Sequence, residues 1–335
     1  MKKAMIMAAG VGSRLDPLTQ EVPKPLVPIA NRPIMDILLE KLSAIDIKDV
    51  VANTHYKAEK IIERYKDNDM GINFSYVHEH KLSGTAGGVK KCQFFFEEGE
   101  DFLILSADGL SNADLEAGIA SHKKSGSIAT IGVKKIAMEE IPHFGVVVTD
   151  EDGFISEFQE KPSIKEAKSD CINTGIYIFN YKIFDYIPEN VFYDFAKNVF
   201  PNLLAQGVKI NTFSVDDYWS DIGTIAQYAQ STQDLFNNLY KINHSGIIKA
   251  SNGTYISGKS YIAPSASLIG FNTIGDNCII GKNVILENCI IWDDVEIKND
   301  VKLENCIIAS HSEIKTDMIN QVIGPNKIIS QGVYT

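Results

Sequence analysis

The C-terminal third of the chain carries the pattern that most restricts its fold. Ile262, Leu268, Ile274, Ile280 and Leu286 recur every six residues, and Gly275 and Gly281 directly follow two of them. The word Leu-Glu-Asn-Cys-Ile-Ile stands at 286–291 and again at 303–308, a shift of 17, and Glu-Ile-Lys at 296–298 returns at 313–315 with the same shift. A hexapeptide period implies a parallel β-helix, in which each six residues form one flat face of a triangular coil. Three faces take three times six residues, so a period of 17 predicts a one-residue deletion at a corner. The alternative, chance strands of an ordinary β-domain, does not account for five in-phase apolar positions plus a repeated word. Cys289 and Cys306 fall at equivalent places in successive coils. No His or other Cys keeps ligand spacing with them, so they are expected to be a stacked core pair rather than a metal site.

From Lys3 to about Ser214 the pattern is different. Short β-branched or apolar runs (Ala4–Ala9, Asp49–Asn53, Phe102–Ser106, Ser127–Val133) read as strands. Pro33–Ile45 and Ala58–Asn68 read as helices, with apolar residues at three- and four-residue spacing. Strand, helix, strand in this order predicts an α/β fold: a Rossmann-like, mixed but mostly parallel sheet flanked by helices. Ligands of such sheets collect beyond the carboxyl ends of the strands, so the loops after Ala9, Ser106 and Ser214 are the places to look for chemistry. Thr224–Lys241 reads as one more helix, bridging to the repeats. The expected organisation is two domains, 1–242 and 243–335, the second a left-handed parallel β-helix. At 335 residues each can bury its own core.

Composition excludes several classes. Lys plus Arg is 32 against 43 Asp plus Glu, a formal charge of −11, which argues against non-specific binding to nucleic acid or anionic membranes. No apolar run approaches the roughly 18 residues of a membrane span. Five cysteines with no CxxC pair suit free thiols in a reducing compartment. The opening Met1-Lys2-Lys3 resembles the start of a signal peptide, but the apolar run after it stops at Gly10. A cytoplasmic location, with no membrane or nucleic-acid partner, is the expectation.

The first apolar strand runs into Ala8-Ala9-Gly10-Val11-Gly12-Ser13-Arg14-Leu15. Two glycines let backbone N–H groups approach a phosphate closely. A dinucleotide fingerprint would need a third Gly where Leu15 stands, and an acid where Asn53 and Thr54 close the second strand; a Walker loop is absent. The loop is therefore a phosphate site of neither common kind. It continues Arg14-Leu15-Asp16-Pro17-Leu18-Thr19, then Pro23-Lys24-Pro25-Leu26. Arg forks onto phosphate oxygens, while Lys offers a point charge, here leaving a backbone stiffened by proline on both sides.

This stretch resembles the signature of sugar-1-phosphate nucleotidyltransferases, G-x-G-x-R-L-x-P-L-T…P-K-P-L, and further blocks follow in that family's order. Glu79 with Ser83-Gly84-Thr85-Ala86-Gly87-Gly88 is similar to the segment that holds the nucleotide base, with Gly88 where a Pro is usual. Leu105-Ser106-Ala107-Asp108-Gly109 is similar to the strand end carrying a metal-binding Asp. Phe144-Gly145-Val146-Val147, Glu160-Lys161-Pro162, Asn173-Thr174-Gly175-Ile176-Tyr177 and Trp219-Ser220-Asp221-Ile222-Gly223-Thr224 resemble the sugar, sugar-phosphate and second-metal blocks.

The resemblance implies a reaction in which an oxygen of a sugar-1-phosphate attacks the α-phosphorus of a nucleoside triphosphate and pyrophosphate leaves. It implies that Arg14, Lys24, Asp108 and Lys161 are catalytic. Ala9, Gly10, Gly12, Glu79, Gly84 and Thr85 join Arg14, Lys24 and Asp108 in holding the nucleotide. Gly145, Glu160, Lys161 and Asn173 hold the sugar phosphate, and Asp108 and Asp221 bind Mg²⁺. A phosphomonoester is mostly dianionic at pH 7, so no general base is required. Pro-Lys-Pro-Leu with a compact β-helix looks most like mannose-1-phosphate guanylyltransferases; thymidylyl or uridylyl transfer to glucose-1-phosphate is the alternative. Two readings of other classes are a non-catalytic regulatory subunit and a hexapeptide acyltransferase with His244 or His311 as base. The substrates are the expected partners, with assembly into a homo-oligomer.

Overall fold

The computed structural model describes residues 1–242, 247–249 and 254–330. The chain divides into two compact units: Met1–Gly10 with Leu38–Trp219, and Val11–Ile37 with Ser220–Thr335.

The first unit is built on a nine-stranded sheet. Strand Lys3–Met7 lies between Asp49–Thr54 and Asp101–Ser106, parallel to both, and Asn73–His78 extends the sheet in parallel beyond Asp49–Thr54. On the other side Cys171–Asn180 is antiparallel to Asp101–Ser106 and Ala129–Lys135, and Ile210–Ser214 runs parallel to Ala129–Lys135. The antiparallel ribbon Gly145–Thr149 and Ile155–Glu160 completes it. All but Cys171–Asn180 and Ile155–Glu160 point the same way, as expected of a mostly parallel mixed sheet. The centres of Lys3–Met7, Asp49–Thr54 and Asp101–Ser106, residues 4–6, 50–52 and 102–105, are apolar and buried because both faces are covered. One core cluster stacks Phe102 on Phe96 and Phe184, at centroid distances of 4.0 and 5.5 Å, and includes Tyr177, Phe179, Phe195 and Phe200.

Element ends shift by a few residues from the sequence reading, for local reasons. The strand expected from Ser127 begins at Ala129, because the preceding helix Leu115–Ser125 ends on Gly126 in the left-handed conformation (φ 65°). The expected helix Ala58–Asn68 stops at Tyr65, and Asn68 turns its amide back onto the carbonyls of Tyr65 and Ile72. The bridging helix is shorter, Ile225–Phe236, with the Thr224 hydroxyl accepting from Gln227 N at its start.

In the second unit, short strands stack in three parallel ladders. Tyr261 pairs Ile279 and Ser267 pairs Ile285, eighteen residues on, whereas Thr273 pairs Ile290 and every pairing of the next coil is seventeen on. The expected deletion is therefore real. It sits where Gly270-Phe271-Asn272 connects two faces in one coil and Asn288-Cys289 alone does so in the next. Corners are turned by left-handed residues: Asn277, Asn283, Asn288, Asp294, Asp300, Asn305, His311 and Asn320 all have φ between 51° and 62°. Asn and Asp accept this conformation best among residues with side chains. Their side chains also stack coil on coil, Asn288 donating to Asn305 and Asn305 to Asn320 at 3.3 and 3.1 Å. Cys289 and Cys306 lie stacked and fully buried in the apolar column with Leu286, Leu303, Ile291 and Ile308. Burial pushes the Cys289 thiol well above its usual range, as suits an inert core residue.

Candidate active site

In the first unit the functional residues gather at the carboxyl ends of the parallel strands. Ala8 N donates to Asn53 Oδ1 at 3.0 Å, and Ala107 N donates to Met7 O at 3.1 Å, so the chain leaving each strand is tied to its neighbour. Ala9 is buried and Gly10 exposed. Asp108 follows one residue later, half-buried, with Ser106 Oγ donating to its Oδ1 at 2.6 Å. An oriented carboxylate of this kind is how an outer residue sets a metal ligand.

Glu79 is 1% exposed and its carboxylate is fully engaged. Asn53 Nδ2 donates to Oε1 at 2.7 Å, while Lys91 Nζ (3.0 Å), Ser83 N (3.2 Å) and the Ser83 hydroxyl all donate to Oε2. Burial alone would raise this carboxyl, but the hydrogen bonds from Ser83, Asn53 and Lys91 outweigh it and hold it below the usual range. The Glu79 carboxylate thus links Asn53, and through it Ala8 N–H, to the Ser83 turn. Asn53, an amide closing the second strand where an acid would mark dinucleotide binding, is therefore a site-shaping residue that no motif block includes. The same pair explains Gly88: a Cβ there would lie 2.5 Å from Asn53 Nδ2 and 2.9 Å from Glu79 Oε1.

Gly84 (φ 80°) opens the helix Gly84–Lys91 against the backbone of Tyr193, which a Cβ would strike, and Gly87 N donates to Tyr193 O. Thr85 Oγ1 donates to Asp194 Oδ2 at 2.8 Å and accepts from Phe195 N. These hydrogen bonds tie the start of the helix to the backbone at Tyr193–Phe195.

Glu160 pairs with Gly145 across the ribbon, and a Cβ on Gly145 would stand 3.3 Å from Glu160 Oε2. Desolvation raises the Glu160 carboxyl above its usual range, with Asp194 adding to this and Lys161 and Lys197 opposing it. Lys161 takes a left-handed backbone (φ 48°), an unfavourable conformation for lysine, and its N–H donates to Phe144 O. Asn173 shapes a bulge in its own strand: its Oδ1 accepts from Gly175 N at 3.0 Å and its Nδ2 donates to Tyr177 Oη at 2.9 Å. Trp219 Nε1 donates to Thr174 O, and its ring meets Phe144 edge-on at 5.5 Å. This explains why the Asn173, Phe144 and Trp219 blocks occur together.

The second unit holds the rest of the signature. Gly12 is left-handed (φ 70°), and a Cβ on it would sit 3.0 Å from Lys24 Cβ and 3.2 Å from Thr19 Cγ2. The bend is closed by Thr19 Oγ1 and Leu15 N, both donating to Gly12 O. Lys24 starts the short turn Lys24–Leu26 after an extended Pro23 and is 9% exposed. Its Nζ stands 3.8 Å from Asp221 Oδ1. Arg14 is exposed; a Cβ on Gly223 would lie 2.9 Å from its Nη2 and 3.3 Å from Asp221 Oδ2, so a side chain at 223 would crowd both groups. Gly12, Arg14, Lys24 and Asp221 are brought together here. Of the two His considered as acyl-transfer bases, His311 is an exposed corner residue 3.6 Å from Asp294, and His244 lies outside the described residues.

A mostly parallel α/β sheet with a glycine bend against a buried lysine and carboxylates held at the strand ends is an arrangement suited to the class of enzymes that act on anionic phosphates. Comparison with known proteins names the family. The "Nucleotidyl transferase" family model matches residues 3–238 and the "GMPPB C-terminal domain" model matches 250–334. A UTP–glucose-1-phosphate uridylyltransferase of Synechocystis sp. is 36% identical over 308 residues, covering 83% of this chain and 79% of that protein. A mannose-1-phosphate guanyltransferase of Schizosaccharomyces pombe is 33% identical, covering 82% and 74%. A crystal structure titled UDP-glucose pyrophosphorylase complexed with UDP-glucose shares the fold, with a TM-score of 0.64 at 20% identity over 71% of this chain and 99% of that one. The chain belongs to the nucleotidyl transferase family and is a sugar-1-phosphate nucleotidyltransferase with a hexapeptide-repeat C-terminal region. Enzymes of this family generally use a divalent metal. Among the described residues no helix is long and apolar enough to cross a membrane.

Proposed function

We propose that the enzyme converts GTP and mannose-1-phosphate to GDP-mannose and pyrophosphate with Mg²⁺. The observation that carries the chemistry is the buried Lys24, whose ammonium stands 3.8 Å from Asp221 beside a left-handed Gly12 on which a Cβ would crowd it. A cation taken from water and held in place acts far more strongly on a phosphate than a solvated one. The sugar phosphate is its own nucleophile: its oxygen bonds to the α-phosphorus as the bond to pyrophosphate breaks, and no proton need be removed. Arg14 and Lys24 then lie along the triphosphate. Lys161 holds the sugar phosphate, and Glu160, Gly145 and Asn173 face its hydroxyls. Ala9, Gly10, Gly12, Gly84 and Thr85 offer backbone to the nucleotide, with Glu79 positioning that surface from behind.

Asp108 and Asp221 are the proposed Mg²⁺ ligands. Both are hard oxygen donors, and one or two carboxylates are what Mg²⁺ takes when phosphates and water fill its other positions. When bound, the ion neutralises phosphate charge.

The guanylyl reading is supported by the C-terminal family model and the S. pombe relative. UTP with glucose-1-phosphate is the second reading, favoured by the Synechocystis relative. A catalytic domain 1–242 and a repeat domain 243–335 are part of the proposal, supported by family-model ranges of 3–238 and 250–334, although 11–37 groups with 220–335 by contact. A homo-oligomer in the cytoplasm completes the proposal. The test is pyrophosphate release with Mg²⁺ across ATP, CTP, GTP, UTP and dTTP, each with mannose- and glucose-1-phosphate. Highest kcat/KM for GTP with mannose-1-phosphate is expected. Preference for UTP with glucose-1-phosphate replaces it with the second reading, and no release from any pair rejects both.

A further inference from the structure

The segment Val11–Ile37, which carries Arg14 and Lys24, forms one compact unit with the repeats, and its contacts with them fall on both sides of Lys24. Before it, Gly324 lies directly against Pro17. A Cβ on Gly324 would sit 2.8 Å from Pro17 O and 2.9 Å from Pro17 Cγ, closer than real Cβ contacts come. Lys327 Nζ donates to Asp16 Oδ2 at 2.7 Å, and Gln20 Nε2 holds the other oxygen at 2.9 Å. Gly324 and Lys327 flank the turn between strands Gln321–Ile323 and Ile328–Ser330, with Gly324 N donating to Lys327 O. After Lys24, Tyr228 Oη donates to Pro28 O at 2.7 Å and accepts from Trp292 Nε1 at 2.9 Å. Asn31 Nδ2 donates to Ile274 O at 2.6 Å. Tyr228 and Trp292 are 0% and 3% exposed, so this second tie is dry and fixed.

Ile274, Trp292 and Gly324 belong to different levels of the stack, so the segment is fastened along the length of the repeats. We propose that the repeat region is the template for the phosphate-binding bend, and that Gly324 is a positioning residue for Arg14 and Lys24. It rests on the proposed role of those two side chains. The bend is a run of isolated turns, Ser13–Leu15, Leu18–Gln20 and Lys24–Leu26, each one turn long. Such turns hold no long-range geometry of their own. A displacement of about 1 Å at Pro17 would be carried to the charged groups, and errors of that size cost catalysis about 10²-fold. Lys327 and Asp16 are half exposed, so their ion pair contributes less than the close approach of Gly324.

The test compares full-length wild type, Gly324→Ala, Lys327→Met and Lys327→Arg. Steady-state kinetics with nucleoside triphosphate and sugar-1-phosphate are measured, together with thermal unfolding and the rate of tryptic cleavage after Arg14. Lys24 precedes proline and resists trypsin. Gly324→Ala is expected to lower kcat at least 10-fold with the sugar-phosphate KM unchanged, and to speed cleavage after Arg14 with unfolding temperature held. Lys327→Met is expected to fall 2- to 3-fold, and Lys327→Arg to restore it. Wild-type kcat and cleavage rate in both Gly324→Ala and Lys327→Met overturn the proposal. If wild type itself shows no transfer activity, the functional reading fails, and the cleavage rates alone decide whether the repeats hold the bend.

Discussion

At the scale of single residues, the motif blocks were visible as words, but their division of labour was not. Glu79 reads as a ligand residue in sequence, yet its oxygens are spent on Asn53, Ser83 and Lys91. Only side-chain geometry distinguishes a carboxylate that faces a ligand from one that braces the turn behind it. Lys24 shows the reverse case: an ordinary surface cation by composition proves to be 9% exposed and set beside Asp221. Lys41 was not singled out. Its ammonium is buried with no hydrogen-bond partner, in a cavity lined by Leu38, Leu105, Ser106, Thr174 and Trp219. Burial lowers its pKa to about 8. Between pH 8 and 10.5, the ordinary lysine value, the unfolded chain binds more protons here than the folded one, so stability rises with pH across that window. Lys41→Met is accordingly expected to stabilise the protein at pH 7 by about 1–3 kcal/mol, with the gain shrinking above pH 8 and gone above pH 10.5. Urea unfolding at pH 7 and 10.5 measures it; equal or lower stability of the variant at pH 7 would show that Lys41 is not strained.

Among the elements, periodicity carried most of the information where one physical rule dominates. A buried face repeating every six residues leaves few folds, and the 17-residue repeat announced that one corner lacks a residue, though not which corner. Apolar runs likewise found the parallel strands. What stayed hidden were the bulge at Asn173–Tyr177 and the left-handed corners, because both depend on backbone torsions that many residues can be forced to adopt. The corner asparagines combine a tolerated positive φ with hydrogen bonds from coil to coil. Asn305→Ala loses both and is expected to cost about 1–2 kcal/mol, whereas Asn305→Gly keeps the torsion and recovers part of it. Denaturant midpoints of the two variants check this; an alanine variant as stable as wild type would remove the corner ladder from the account.

On the scale of the whole molecule, the division into compact units departs from chain order, since 11–37 groups with 220–335. No local pattern announces such a return, because its contacts join residues some 200 to 300 positions apart, as Tyr228 with Pro28 and Lys327 with Asp16 do. Family membership was nonetheless legible, since the ordered blocks from Gly10 to Thr224 span the chain even though their three-dimensional neighbours do not. The proposed nucleotidyl transfer is carried by positioned charge, with no protein base. Its most direct measurement is the pre-steady-state rate of pyrophosphate formation at saturating substrates, comparing wild type with Lys24→Ala and Asp108→Asn at matched folding. Losses of at least about 10²-fold are expected in both variants, or roughly 2.7 kcal/mol each, with a wild-type rate that does not fall between pH 9 and 7 as a titrating base would require. Near-normal rates in both variants would contradict this mechanism.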